Sequence, residues 1–158
     1  MILRPATVAD MAAVADLWHE GWHDAHAGHV PSGLTAARTL EAFHERTPPR
    51  VADTTVAVSD AGELLGFLMI EDDEVEQLFV GRPHRGTGLA AVLLAEGERQ
   101  VAAAGHDVAW LAVVDGNARA RAFYEREGWH DTGDSPYEVT AGGQTFLSPC
   151  RRYEKRVR

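Results

Sequence analysis

Val80-Gly81-Arg82-Pro83-His84-Arg85-Gly86-Thr87-Gly88-Leu89-Ala90 is the stretch where a strand gives way to a helix. Upstream, Val75 to Val80 reads as a strand, and Pro83 stops its pairing. Downstream, residues 88–104 are rich in Ala, Leu and Glu, and Gly105 stands where a C-terminal cap belongs. The first turn of such a helix carries unpaired backbone N–H groups and the positive end of the dipole. Glycines at 86 and 88 let a bulky anion approach that backbone closely. The segment therefore reads as a pyrophosphate cradle. It lacks the spacing of a Walker loop, and two glycines without a following βαβ unit do not complete a dinucleotide fingerprint.

Working outward, the other elements follow from periodicity and punctuation. Ile2-Leu3-Arg4 is a short strand, and Thr7 to Asp10 is a capping-box start. Met11, Val14, Ala15 and Trp18 share one helical face, and the helix is expected to end near residue 20, loosening at Gly21. A second helix is expected over residues 35–46, closed by Pro48-Pro49. Residues 54–58 and 64–70 form a hairpin about Asp60-Ala61-Gly62, and Asp72-Asp73 turns the chain into Val75–Val80. Val108 to Val114 is almost wholly apolar, as in a strand buried on both faces. Asn117 caps a helix that Gly128 stops, and two last strands follow, joined at Gly142-Gly143. The order β-α-α-β-β-β-α-β-α-β-β predicts an α/β fold. Its mixed central sheet has about seven strands flanked by about four helices.

The 158 residues favour a single domain spanning 1–158. Hydrophobic content of 45% and charged content of 25% are those of a globular protein. A net charge of −9 argues against nucleic acid as a partner and is compatible with a cationic amine. The lone Cys150 cannot form an internal disulfide, and between Pro149 and Arg151 it reads as structural rather than as a nucleophile. No apolar run reaches the roughly 20 residues of a membrane span, and no signal-peptide core opens the chain. A cytoplasmic protein with no membrane partner is expected.

Residues 80–90 resemble motif A of the GNAT superfamily of N-acetyltransferases, Arg/Gln-x-x-Gly-x-Gly/Ala, through Arg85, Gly88 and Ala90. Asn117, Ala120, Phe123, Tyr124 and Gly128 resemble the following motif B, with Trp129 where Phe is commoner. The opening Ile2 to Thr7 with Asp10 also looks like the family's start. The resemblance implies a GNAT fold and transfer of acetyl from acetyl-CoA to a primary amine, on a small molecule or a protein. It implies that the edge Leu78-Phe79-Val80 hydrogen-bonds pantetheine and that backbone N–H groups of Arg85, Gly86, Thr87, Gly88, Leu89 and Ala90 hold the pyrophosphate. Asn117 would contact the pantetheine or phosphate arm, and Tyr124 would be the general acid at the departing thiolate. Family members are often homodimers, though no residue here forces it.

Direct transfer requires the amine to lose a proton and the thiolate to be stabilised or protonated. Glu74 and Glu76 alternate along the strand before the cradle and share a face. Glu74 aligns best with the family's catalytic glutamate, Glu76 lies close behind, and either could instead be a solvated edge charge. Tyr124 beside Phe123 would, in isolation, read as a packed aromatic. In this family the acceptor pocket comes mainly from the segments corresponding to residues 18–34 and the last hairpin, so Trp18, Trp22 and His26 are expected to line it, with His23 and His29 there or at the surface.

One signal competes. His19-Glu20-Gly21-Trp22-His23 is a literal H-E-x-x-H, with His29 at the distance of a third zinc ligand. His26 stands where the protease motif needs Gly, and nothing else in the chain resembles a metalloprotease, so no metal is expected. A zinc-dependent hydrolase remains the alternative, and a non-catalytic acyl-CoA sensor the third reading. Release of free thiol separates a sensor from a transferase.

Overall fold

A computed structural model describes all 158 residues, Met1 to Arg158. The chain runs β1 (Ile2–Pro5), α1 (Met11–His26), α2 (Ser32–Ala37), α3 (Leu40–Arg46), β2 (Thr54–Val58), β3 (Leu64–Glu71) and β4 (Glu74–Val80). After the cradle come α4 (Leu89–Ala103), β5 (Val108–Val114), α5 (Ala118–Arg126), β6 (His130–Asp134), β7 (Tyr137–Ala141), β8 (Gln144–Ser148) and β9 (Cys150–Arg156). Seven strands form one mixed sheet in the order β1-β2-β3-β4-β5-β9-β6, and β7 and β8 form a separate two-stranded ribbon. The α/β architecture with a seven-stranded sheet is the one expected. No helix is long and apolar enough to cross a membrane.

The two sheet faces carry two cores. Met11, Val14, Trp18 and Trp22 of α1, Leu34 of α2 and Phe43 of α3 cover Val56, Phe67 and Met69. On the other side, Leu89, Leu93, Leu94 and Val101 of α4 cover Leu68, Val75 and Leu111, and Phe123 and Tyr124 of α5 pack against the same cluster.

Three expectations are corrected. First, α1 does not end near residue 20 but continues to His26. Gly21 is a contact point rather than a break: a Cβ there would collide with the Phe79 ring of β4. Glycine brings the helix down onto the strand. Second, the helix expected over 35–46 is two helices. Thr39 is extended at ψ 161°, and its hydroxyl accepts the Ala42 N–H at 3.1 Å, restarting the chain as α3. Third, the two last strands are four. Pro136 and Pro149 interrupt the ladder, since proline offers no N–H. Gly142-Gly143, both at positive φ, join β7 to β8, and β9 returns between β5 and β6.

β4 and β5 are the only parallel neighbours among the strand pairs, and they meet only at Glu74 opposite Trp110. Trp110 is fastened there by its backbone N–H to the Asp73 carbonyl at 3.1 Å and its indole N–H to Asp73 Oδ1 at 3.0 Å. Beyond this vertex the strands diverge. Opposite β3, Met69 pairs with Gln77 and Ile70 with Val75, so Glu76 is an extra residue in the ladder. Such a bulge bends its strand and resets the alternation. Val75 and Val80 thus enter one core cluster although they stand five positions apart.

Candidate active site

The divergence of β4 from β5 opens two adjoining cavities. One, of about 450 Å³, is lined by Leu78, Phe79 and Val80 of β4, by Arg85, Gly86, Gly88 and Ala90 of the cradle, and by residues of α5. The other, of about 350 Å³, reaches from Glu74 and Glu76 to Trp22, His26 and the β7–β8 ribbon. Leu78, Phe79, Asn117, Ala120 and Tyr124 border both. A ligand in each would meet at these residues.

The cradle has the expected backbone. Gly86 and Gly88 sit at φ +76° and +88°, where an L side chain is strained. No atom lies within 4 Å of where a Cβ would stand on either. Gly88 is the N-cap of α4 and no side chain caps that helix, so its first N–H groups face the groove unclaimed. His84, Arg119 and Arg126 add basic groups to the wall. This donor set, with that open space, fits a pyrophosphate. Arg85 works differently from its neighbours: it donates Nε to the Val80 carbonyl at 3.2 Å and a terminal nitrogen to Asp24 at 2.9 Å. Arg82 also grips Asp24, at 2.7 Å, and the two guanidinium groups hold that carboxyl down at about 2. Two expected cradle residues lie outside the groove lining: Leu89 is buried in the core, and the Thr87 hydroxyl donates to the His84 carbonyl.

The bulge gives the two strand glutamates different surroundings. Glu74 is only 8% exposed, and its one hydrogen bond is from the Tyr137 hydroxyl at 3.4 Å. Burial, then the nearby charges of Glu76 and Glu71, push its carboxyl up to about 7. Burial also acts on Glu76, but the adjacent Glu71 carboxyl and the Arg50 guanidinium outweigh it and hold Glu76 below the ordinary carboxylate value. The Arg50 contact is 2.6 Å. Glu74 is therefore poised to exchange a proton near neutrality, whereas Glu76 is one half of an ion pair.

Tyr124 sits where the cavities join, wedged among Phe123, Trp129 and Tyr153 at centroid distances of 5.1 to 6.2 Å. Its hydroxyl makes no hydrogen bond within the protein, and burial raises it well above the ordinary phenol, so it keeps its proton. Asn117 spends its Oδ1 capping α5 through the Ala120 N–H at 3.1 Å, which leaves its amide nitrogen facing the junction. Cys150 lines the second cavity, but burial raises its thiol, the wrong direction for a nucleophile.

Of the expected acceptor-pocket aromatics, Trp22 and His26 line the second cavity, their rings stacked at 4.5 Å. Trp18 does not: it is 1% exposed and enclosed by Phe43 and Phe67. It faces inward because it shares the helical stripe of Val14 and Ala15. Of the H-E-x-x-H residues, His19 and His23 keep their rings in edge contact at 4.7 Å, but Glu20 and His23 are engaged by other partners. Glu20 pairs with Arg82 at 3.1 Å, and His23 Nε2 bonds the Arg38 carbonyl at 2.6 Å. No three His, Cys, Asp or Glu side chains converge as metal ligands would.

The β7–β8 ribbon, the hairpin expected at the acceptor pocket, brings Tyr137 to the cavity, but Arg38 and Arg46 lie outside the segments expected there. Only the cap at Thr39, which places Arg38 at a chain corner, left a local signal.

The family model described as the acetyltransferase (GNAT) family matches residues 13–129, and the chain belongs to that family. It is similar to an uncharacterized N-acetyltransferase of Mycobacterium tuberculosis strain H37Rv, 30% identical over 120 residues, 73% of this chain and 74% of that one. The fold is similar to the solution structure of apo YjaB from Escherichia coli, with a TM-score of 0.74 and 20% identity over 98% and 97% of the two chains. It also resembles yncA, a putative acetyltransferase from Salmonella typhimurium solved with acetyl-CoA, at a TM-score of 0.71 and 18% identity over 100% and 94%. The protein is an acetyl-CoA-dependent N-acetyltransferase, and acetyl-CoA is its cosubstrate.

Proposed function

We propose that residues 1–158 act as one catalytic domain that acetylates a primary amine by direct attack in a ternary complex. The observation that carries this is the junction: a buried, neutral-range carboxyl on one side, a protonated phenol on the other, and a cavity opening to each. Acetyl-CoA, when bound, supplies the activated acetyl group. Backbone N–H groups of Gly86, Gly88 and Ala90 and the basic wall bind its phosphates, and the open β4 edge at Leu78 to Val80 orients its arm. The bond formed is amine nitrogen to acetyl carbon, and the bond broken is that carbon to sulfur. Glu74 accepts the proton lost by the amine, directly or through water, and Tyr124 supplies the proton taken up by sulfur. Glu76 holds Arg50 rather than reacting. No covalent enzyme intermediate is needed, in keeping with the raised Cys150 thiol.

The test begins with calorimetric titration of acetyl-CoA in metal-free buffer. Saturable one-to-one binding that Gly88→Trp abolishes is the expected result, followed by thiol release with an amine library. Binding without thiol release for any amine would identify a sensor instead. No binding would refute the reading.

A further inference from the structure

Two guanidinium groups line the second cavity without a partner. Arg38 stands at the corner between α2 and α3, only 6% exposed, with its side chain 5.9 Å over the Trp22 ring. Its guanidinium makes neither a hydrogen bond nor an ion pair, and its Nε is fully enclosed with no acceptor. Arg46 lies 4.5 Å over the Trp18 ring, also without an ion pair, and its Nη1 is enclosed and unpartnered. Burial lowers both, Arg46 to about 10; the like charges of Arg38 and Arg50 lower Arg46 further, and Glu76 offsets them only in part. The acids nearby do not neutralise them. Glu76 gives one oxygen to Arg50, and its other oxygen is enclosed and free. Were that oxygen to take Arg46, Arg38 would still stand alone. Glu138 is at the exposed rim. His26 is held neutral, down at about 4, chiefly by burial.

A buried cation without a counter-ion is costly, and proteins keep one where a ligand completes the pair. We propose that the acceptor is a small amino acid or amino phosphonate, whose oxyanion docks on Arg38 and Arg46 while its amine reaches Glu74. This deepens the acetyltransferase reading and rests on it. The planar guanidinium matches an oxyanion bidentately. A cavity of about 350 Å³ is sized for a small molecule. The placement also accounts for a protein of net charge −9 concentrating unpaired positive charge in one pocket.

The test measures thiol release with free L-amino acids, their carboxamides and their 1-aminoalkylphosphonate analogues, together with calorimetry of the acids and of acetyl-CoA. The acids, carboxylate or phosphonate, should show KM values at least ~tenfold below those of the carboxamides. Arg38→Met should close that gap without lowering the melting temperature, because it removes an unpaired buried charge and keeps the volume. Arg38→Lys should restore part of the gap. Equal KM values for acids and carboxamides, a gap that survives Arg38→Met, or acids that neither react nor bind would overturn the proposal while leaving acetyl-CoA binding intact. Failure of the wild-type protein to bind acetyl-CoA would instead overturn the reading beneath it.

Discussion

Glu74 and Glu76 look equivalent in the sequence, two acids separated by one residue. The folded chain makes one a burial-raised carboxyl and the other an ion-pair partner, through a bulge and through Arg50, some 26 positions away. Neither cause is local, so the sequence left the choice open. If Glu74 is the base, kcat/KM for the acceptor should rise with pH through about 7. Glu74→Gln should erase that limb and lower the rate by about 100-fold. The same carboxyl has a signature in stability. Its folded value is raised, so its contribution is full below the ordinary 4.5 and is lost as pH rises through about 7. Glu74→Gln, always neutral, should therefore gain about 3 °C or more in melting temperature over wild type between about pH 5 and about pH 8. Tyr124 was legible as a position in a motif, but its solitary hydroxyl was not. Tyr124→Phe should leave the acetyl-CoA Kd unchanged and lower kcat by about tenfold or more. Full activity across pH would remove Tyr124 from the proton path.

Elements were legible where a local rule governs them. The cradle, α4, β5 and the Asn117 cap follow from glycine, composition and capping, and the structure has them. The failures share a cause, which is tertiary contact overriding a local signal. Gly21 reads as a helix weakener because glycine has low helix propensity, yet α1 runs through it to reach His26. What the residue provides is clearance for Phe79, which borders both cavities. Gly21→Ala would be a favourable change on an isolated helix. Here it should lower the melting temperature by about 3 °C or more and weaken acetyl-CoA binding, because the ring must move. A stabilised protein with unchanged Kd would show that the ring yields freely. The break at Arg38-Thr39 was concealed by helix-forming residues on either side, and with it the buried arginine of the acceptor cavity.

Across the whole molecule, the groove depends on how its two sides are tied. Asp24 near the end of α1 grips Arg82 and Arg85, joining the cradle to the opposite helical layer. Its folded value is depressed to about 2, so its contribution is full above the ordinary 3.8 and is lost as pH falls through about 2. Asp24→Asn should lower the melting temperature at neutral pH by a few degrees, weaken acetyl-CoA binding, and differ less from wild type as the solution is acidified. A class-level reading of the chain captured the sheet, the cofactor side and the family, because those depend on short motifs. The acceptor side is assembled from α1, the α2–α3 corner and the β7–β8 ribbon, and no single stretch of sequence contains it. The single-residue contact of β4 with β5 has one further consequence. Strand edges on a protein's outside recruit other chains and seed aggregates. This edge lies inside a notch whose far wall is the same sheet, so the gap acts as a gauge on girth. A slender, unbranched ligand can slot in beside the edge, while the walls of the notch stand between this adhesive backbone and neighbouring chains.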